Sequence, residues 1–257
     1  MPVNVFKQAL HSGRTQIGLW MGTADPSLAE LLANTGFNWL LIDAEHSPND
    51  PRSVLPLLQA MAPYPVHPIV RPVQAAPELI KQYLDIGAQT LLLPMIETAD
   101  EALRAVAATR YPTRGIRGVA SATTRASRWN RIEHYFQRCD AEMCVLVQVE
   151  SVKGLRNIAA IAAVDGVDGV FFGPADLAGS MGLLGKPADP AVRAAIAEGI
   201  AAVKSAGKAA GTLATDHELA RAYLAMGAQF VAVGVDTLLL AKAATDLAGA
   251  FKSPAPP

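Results

Sequence analysis

Two carboxylates and an imidazole (Asp43, Glu45 and His46) close the apolar run "WLLIDAEH". Arg71 stands near the end of "HPIVRP", Gln148 and Glu150 close "MCVLVQVE", Asp176 closes "GVFFGPAD" and Asp236 closes "FVAVGVD". One such ending is an ordinary solvated turn. Several converging on one mouth would form an acid–base and metal-binding set. Hard oxygen donors such as Glu150 and Asp176, with the remaining positions left to water and substrate, suit Mg²⁺ or Mn²⁺. In "GPAD", Gly173 and Pro174 make a tight turn whose backbone N–H groups, from Ala175 onward, could hold a carboxylate.

Arg71 occupies a place where a buried strand normally carries an apolar residue. A guanidinium there can grip a substrate carboxylate or stabilise a developing oxyanion. His46 has the chemistry of a general base near neutral pH. Each residue also has a structural alternative. Glu150 and Asp176 could cap the helices that follow them, since acids favour helix N-termini. Arg71 could be an ion-pair partner of Asp43 or Glu45, and His46 a plain loop residue. The lysines narrow the mechanism: Lys7, Lys81, Lys153, Lys186, Lys204, Lys208, Lys242 and Lys252 fall on helices, on loops or just before strands. None closes a strand, which disfavours imine chemistry and leaves a metal to hold an enolate.

Such convergence requires elements that bring strand ends together. Eight short apolar runs alternate with amphipathic stretches: 16–21, 39–46, 67–72, 90–96, 143–150, 169–176, 208–214 and 230–236. Most are hydrophobic throughout, as parallel strands covered on both faces are. Several of the stretches between them start at Asp, Thr or Pro and stop at Gly, the expected pattern of caps. "NTGFNWL", "DIGAQTL" and "AMGAQFV" each place a glycine a few residues before a strand. Eight such units in 257 residues predict a single (β/α)₈ TIM barrel over 1–257, with the tail 253–257 frayed. A doubly wound open sheet is the competing architecture, but no G-x-G-x-x-G follows any strand. The segment 111–142 is too long for an ordinary connection and is expected to be functional or to make subunit contacts.

Composition is 51% hydrophobic and 18% charged, with a formal net charge of −1. With no basic block, no nucleic-acid footprint is expected. The N-terminus lacks an apolar signal core and no apolar run is long enough to span a bilayer, so a cytoplasmic location and no membrane partner are expected. Cys139 and Cys144 lack metal-ligand spacing and read as reduced thiols.

These motifs, with "GLWMGTADPSLAELLANTG", "LLLPMIETADEA", "RYPTRGIRG" and "SRWNR", resemble the HpcH/HpaI class II pyruvate aldolases in order across nearly the whole chain. The resemblance implies a barrel of the phosphoenolpyruvate/pyruvate type, a homohexamer built as a dimer of trimers, and a last helix exchanged between subunits. It implies a divalent ion (Mg²⁺, Mn²⁺ or Co²⁺) on Glu150 and Asp176, with no organic cofactor. Gln148, Gly173 and the Ala175 backbone would meet the pyruvate portion. Arg71 would stabilise the enolate, and His46 would be the acid–base residue. Asp85, in the last turn of a predicted helix where its charge opposes the macrodipole, would hydrogen-bond His46. The implied activity is reversible cleavage of 4-hydroxy-2-oxo acids, with 4-hydroxy-2-oxoheptanedioate, an aromatic-catabolism intermediate, as expected substrate. Its products would be pyruvate and succinate semialdehyde. The competing activities are aldol cleavage of sugar-derived 2-keto-3-deoxy acids and an acyl-CoA lyase of the citrate-lyase β type. A non-catalytic scaffold barrel is a third class. The loops "AGSMGLLGKP" and "GTLATD" depart from the family pattern and are expected to border the aldehyde pocket.

Overall fold

The computed structural model describes residues 2–252, so the expectation for the tail 253–257 lies outside the described residues. Chain order is α1 (Val5–His11), β1 (Gln16–Met21), α2 (Pro26–Ala33), β2 (Trp39–Asp43), α3 (Pro51–Met61), β3 (His67–Arg71) and α4 (Pro77–Asp85). Next come β4 (Thr90–Leu93), α5 (Ala99–Thr109), α6 (Tyr135–Glu142), β5 (Cys144–Val149), α7 (Val152–Arg156), α8 (Ile158–Ala162) and β6 (Gly169–Phe172). The chain ends with α9 (Pro174–Ser180), α10 (Pro190–Ser205), β7 (Ala209–Leu213), α11 (His217–Met226), β8 (Phe230–Val235) and α12 (Asp236–Phe251). The eight strands pair in parallel in sequence order, and β8 closes on β1, giving the (β/α)₈ barrel.

Local chemistry sets the element ends. Asp25, Asp50, Thr98, Asp189 and Asp216 each accept a backbone N–H as N-caps, and proline opens α2, α3, α4, α9 and α10. The three predicted stop glycines, Gly36, Gly87 and Gly227, have φ of 95°, 103° and 103°, where a side chain would be strained. All strands but β1 end before their apolar runs do, β2, β4 and β6 by three or four residues. β2 stops at Asp43, so Glu45 and His46 lie in the turn beyond it; β6 stops at Phe172, so Asp176 lies in the first turn of α9. β4 stops at Leu93, and Glu150 lies one residue past β5. Ladder pairing ends at Asp43↔Arg71 and Val149↔Phe172, where the chain turns off the barrel.

The interior packs large against small. Rings of Trp39, Phe171 and Phe230 fill the barrel, with Leu41, Ile69, Leu92 and Leu146. A Cβ on Gly18 would strike the Trp39 ring, and one on Gly211 the Phe230 ring. Helix α1 plugs the amino-terminal floor with Phe6 and Leu10, both buried. Phe6 stacks on His67 with centroids 5.5 Å apart. Asn4 ties the plug down, donating to Thr90 Oγ1 at 3.0 Å and accepting from Lys7 N at 2.9 Å. Complete burial without an ionic partner pushes the His67 pKa down to about 4, so the floor imidazole stays neutral.

The last helix is different. Beyond Asp236, α12 is exposed along its length and presents Leu238, Leu239, Leu240, Leu247 and Phe251 to solvent. No described helix is long and apolar enough to cross a membrane. Phe6→Ala should open the floor and cost about 3–5 kcal/mol of stability, read as a lower midpoint in urea unfolding.

Candidate active site

The carboxyl ends of all eight strands open on one face, the mouth, where barrel enzymes carry their chemistry. Asp43 organises its near side. Its Oδ1 accepts from Arg71 Nε at 2.9 Å and Glu45 N at 3.0 Å; its Oδ2 accepts from Arg71 Nη2 at 2.8 Å and Trp20 Nε1 at 3.2 Å. Burial pulls this carboxyl upward, but the Arg71 hydrogen bonds and charge, with the Glu45 N–H and Trp20, outweigh it and hold Asp43 below the usual range. The guanidinium lies 4.6 Å from the Trp20 ring centroid and reaches Glu45 Oε2 with Nη1 at 2.8 Å. The ion-pair reading of Arg71 therefore holds with both acids at once.

Glu45 is less well served. Burial raises its pKa, against the pull of Arg71 and His46, and the charges of Asp43 and Asp176 push the same way as burial. Its Oε1 sits 3.9 Å from His46 Nε2. The His46 side chain is 64% exposed at the rim, which leaves it open to a ligand or to another chain.

Across the mouth, Glu150 is buried and is not a helix cap. Ser151 caps α7 instead, its hydroxyl accepting from Gly154 N at 3.0 Å. Glu150 Oε1 accepts from Met95 N at 2.9 Å, and Oε2 accepts from the Gln148 amide. Met95 carries a positive φ of 52°, backbone strain that aims its N–H at the carboxylate. Gly173 packs against Glu150 so closely that a Cβ would run into Oε2. Burial, reinforced by the charges of Asp176 and Glu45 and opposed by the Gln148 and Met95 donors, raises Glu150 to about 7. Asp176 and Ala175 are exposed in the first turn of α9, where Gly173 is the N-cap position. Asp176 is thus not the N-cap. Gln148 Oε1 is buried without a hydrogen-bond partner among the described residues.

This donor set fits a hard divalent ion. Two carboxylates, Glu150 and Asp176, repel each other across a mouth that a cation would neutralise, and the remaining ligands fall to water and substrate, as Mg²⁺ prefers. No cluster of three or more His, Cys, Asp or Glu poised for a metal occurs among the described residues, so an all-protein cage is absent there.

Two further acids are engaged by structural partners. Asp236 is a clamp: its carboxylate accepts from Gly22 N at 3.0 Å and from Thr23 N and Oγ1 at 3.1 and 2.7 Å, pinning the loop after β1 to α12. Asp85 does not meet His46 within the chain. It ends α4, which runs from the mouth back toward the floor, and its Oδ1 accepts from Arg117 Nη2 at 2.8 Å. Arg117 is fully buried in the 111–142 segment, 4.6 Å from the Tyr111 ring centroid, and its charge offsets the conflict between Asp85 and the helix dipole. The same segment clips onto the end of α4 through Ala126 N to Asp85 O at 3.1 Å and Arg125 Nη1 to Ile86 O at 2.9 Å. A groove of 550 Å³ opens beside this segment on the floor, lined by Tyr64, His67, Gln89, Arg125 and Trp129 and remote from the mouth.

The HpcH/HpaI aldolase/citrate lyase family model matches residues 16–243, from the first strand into α12. The chain belongs to this family. The family's aldolases are lyases, and the full-length relatives bear such names. The chain is 64% identical to a hydroxypyruvate/pyruvate aldolase of Paraburkholderia phytofirmans, covering 99% of this chain and 96% of the relative. It is 58% identical to a 4-hydroxy-2-oxo-heptane-1,7-dioate aldolase of Salmonella heidelberg, covering 96% and 94%. The crystal structure of an HpcH/HpaI aldolase/citrate lyase family protein from Burkholderia cenocepacia superposes with a TM-score of 0.94 at 41% identity, covering 98% of this chain and 100% of that one.

Met95 was not legible as a site residue, and Asp43 was legible only as a strand-end acid and possible partner of Arg71, not as the saturated hub it forms. Met95 acts through its backbone, which residue type does not signal, and the role of Asp43 depends on partners on β1 and β3.

Glu150 gives a pH test. An acid whose folded pKa rises from 4.5 to about 7 binds its proton more tightly when folded. Its penalty is absent below 4.5, grows as pH rises, and is complete above 7, at about 3 kcal/mol by linkage. Glu150→Gln should therefore raise the Tm of the metal-free protein at pH 8 and leave it nearly unchanged at pH 4.5. Equal shifts at both values would refute the burial argument.

Proposed function

We propose that the chain is a divalent-metal-dependent aldolase that makes and breaks the C3–C4 bond of 4-hydroxy-2-oxo acids, with pyruvate or hydroxypyruvate as the 2-oxo acid partner. The observation that carries this reading is the meeting at the mouth of an acid pair, Glu150 with Asp176, and an ion pair, Glu45 with Arg71, with His46 at the rim. Relatives named hydroxypyruvate/pyruvate aldolase at 64%, 59% and 60% identity support both donors. The relative at 58% supports cleavage of 4-hydroxy-2-oxoheptanedioate to pyruvate and succinate semialdehyde as a second reading of the aldehyde side. No observation favours the acyl-CoA lyase alternative.

Mg²⁺, Mn²⁺ or Co²⁺ held by Glu150 and Asp176 would supply Lewis-acid polarisation of the 2-oxo group. Gln148 fixes Glu150 with one amide N–H and offers the other to the pyruvate portion, beside the Gly173–Ala175 turn. Arg71, backed by Asp43, presents its remaining N–H groups to the developing enolate oxygen. His46 accepts the 4-hydroxyl proton as the C3–C4 electrons move into the enolate, then returns it to C3. In synthesis the same imidazole removes the proton from the donor.

Asp85 serves His46 only between subunits. Within one chain it lies toward the floor on Arg117, while His46 stands at the rim. The exposed leucines of α12 support exchange of that helix in a homohexamer. The two free, buried cysteines support a reducing, cytoplasmic setting.

Pyruvate release from 4-hydroxy-2-oxo acids should vanish with EDTA and return with Mn²⁺. His46→Ala should lower kcat about 10²–10⁴-fold with Mn²⁺ affinity retained; unchanged cleavage would refute the assignment of the base. Co-refolding His46→Ala with Asp85→Ala chains should recover activity that neither has alone, whereas a site built within one chain would stay dead.

A further inference from the structure

Four carboxylates crowd the mouth, and three have evident work. Asp43 is saturated by Arg71, Trp20 and the turn N–H groups. Glu150 is held by Met95 and Gln148, and Asp176 completes the acid pair with it. Glu45 is the exception. Its Oε2 leans on Arg71 Nη1 at 2.8 Å, out of line for a hydrogen bond, and is buried. Its Oε1 lies 3.9 Å from His46 Nε2 and accepts no hydrogen bond among the described residues.

We propose that Glu45 is the specificity residue for the donor, accepting a hydrogen bond from the C3 hydroxyl of a 3-hydroxy-2-oxo acid such as hydroxypyruvate. This inference rests on the aldolase reading above. That reading fixes the donor from three sides: the 2-oxo oxygen lies between the acid pair and Arg71, and C3 faces His46, which exchanges its proton. Glu45 touches both Arg71 and His46, so a substituent on C3 falls beside it.

The electrostatics discriminate in the same direction. A half-buried carboxylate beside a developing enolate repels it unless something donates to that carboxylate. Pyruvate brings only a methyl group there. Hydroxypyruvate brings an O–H that offsets the charge and occupies the open lone pair of Oε1. A charge-assisted hydrogen bond of this kind is among the stronger ones available to a small ligand.

The test compares donors with one common aldehyde. Glu45→Gln weakens its acceptor and removes the charge, so it should lower kcat/KM for hydroxypyruvate while relieving the repulsion that the pyruvate enolate meets. The preference for hydroxypyruvate over pyruvate should fall by about 10–100-fold, chiefly in KM. Glu45→Asp, which restores the charge one methylene back, should recover part of that preference. A binding readout stands beside the kinetics: in the Mn²⁺-loaded protein, hydroxypyruvate should raise Tm more than pyruvate, and Glu45→Gln should erase the difference. Equal losses for the two donors would overturn the proposal, as would an unchanged preference. A wild-type enzyme that condenses pyruvate but not hydroxypyruvate would overturn it while leaving the aldolase reading intact. One that condenses neither would sink the reading itself.

Discussion

The mouth of this barrel carries more negative charge than its own residues neutralise. Asp43, Glu45, Glu150 and Asp176 face a single buried guanidinium, Arg71, and much of that charge is shielded from water. Arg71 neutralises Asp43 through paired hydrogen bonds, leaving the opposite acids to repel one another. A proton or a cation would relieve a site held in that condition. Burial, reinforced by the charges of Asp176 and Glu45, raises Glu150 to about 7, and a divalent ion bound there would relieve the same penalty.

The rest of the molecule keeps this arrangement stiff. Trp20 donates to Asp43 while its ring lies beside Arg71 and Phe171, so the hub rests on the packed interior. Asp236 draws the loop after β1 onto α12, and the Met95 turn and Gly173 close on Glu150 from β4 and β6. At the other end, α1 seals the floor with aromatic stacking and a buried polar network around Asn4 and Thr90. Chemistry and plug thus occupy opposite ends of one column of side chains.

Two regions bear on the assembly proposed above. The 111–142 segment is clamped to α4 by the buried Arg117, which fixes Asp85 far from its own mouth. Helix α12 displays leucines that none of the described residues covers along most of its length. Both features make sense when a neighbouring subunit supplies the missing surface, which would join the assembly to the chemistry.

The strands and the glycine stops were legible because burial on both faces demands unbroken apolar runs and because only glycine tolerates the turn that ends α2, α4 and α11. The acids and Arg71 were legible as a set because ionisable groups at the ends of buried strands need a common mouth. The sequence could not separate Asp236, a clamp, from Asp176, which lies open in the α9 turn, since both are aspartates closing apolar runs. It could not show that Ser151 rather than Glu150 caps α7, nor that Met95 points its N–H at Glu150. Periodicity and residue type by themselves determined that this chain is a parallel barrel with an acidic, arginine-bearing mouth. Which carboxylates are satisfied, which stay open, and which residue belongs to the opposite end were decided by the tertiary structure alone. A carboxylate's role depends on the donors that reach it across the barrel, and those come from strands and loops distant in the chain.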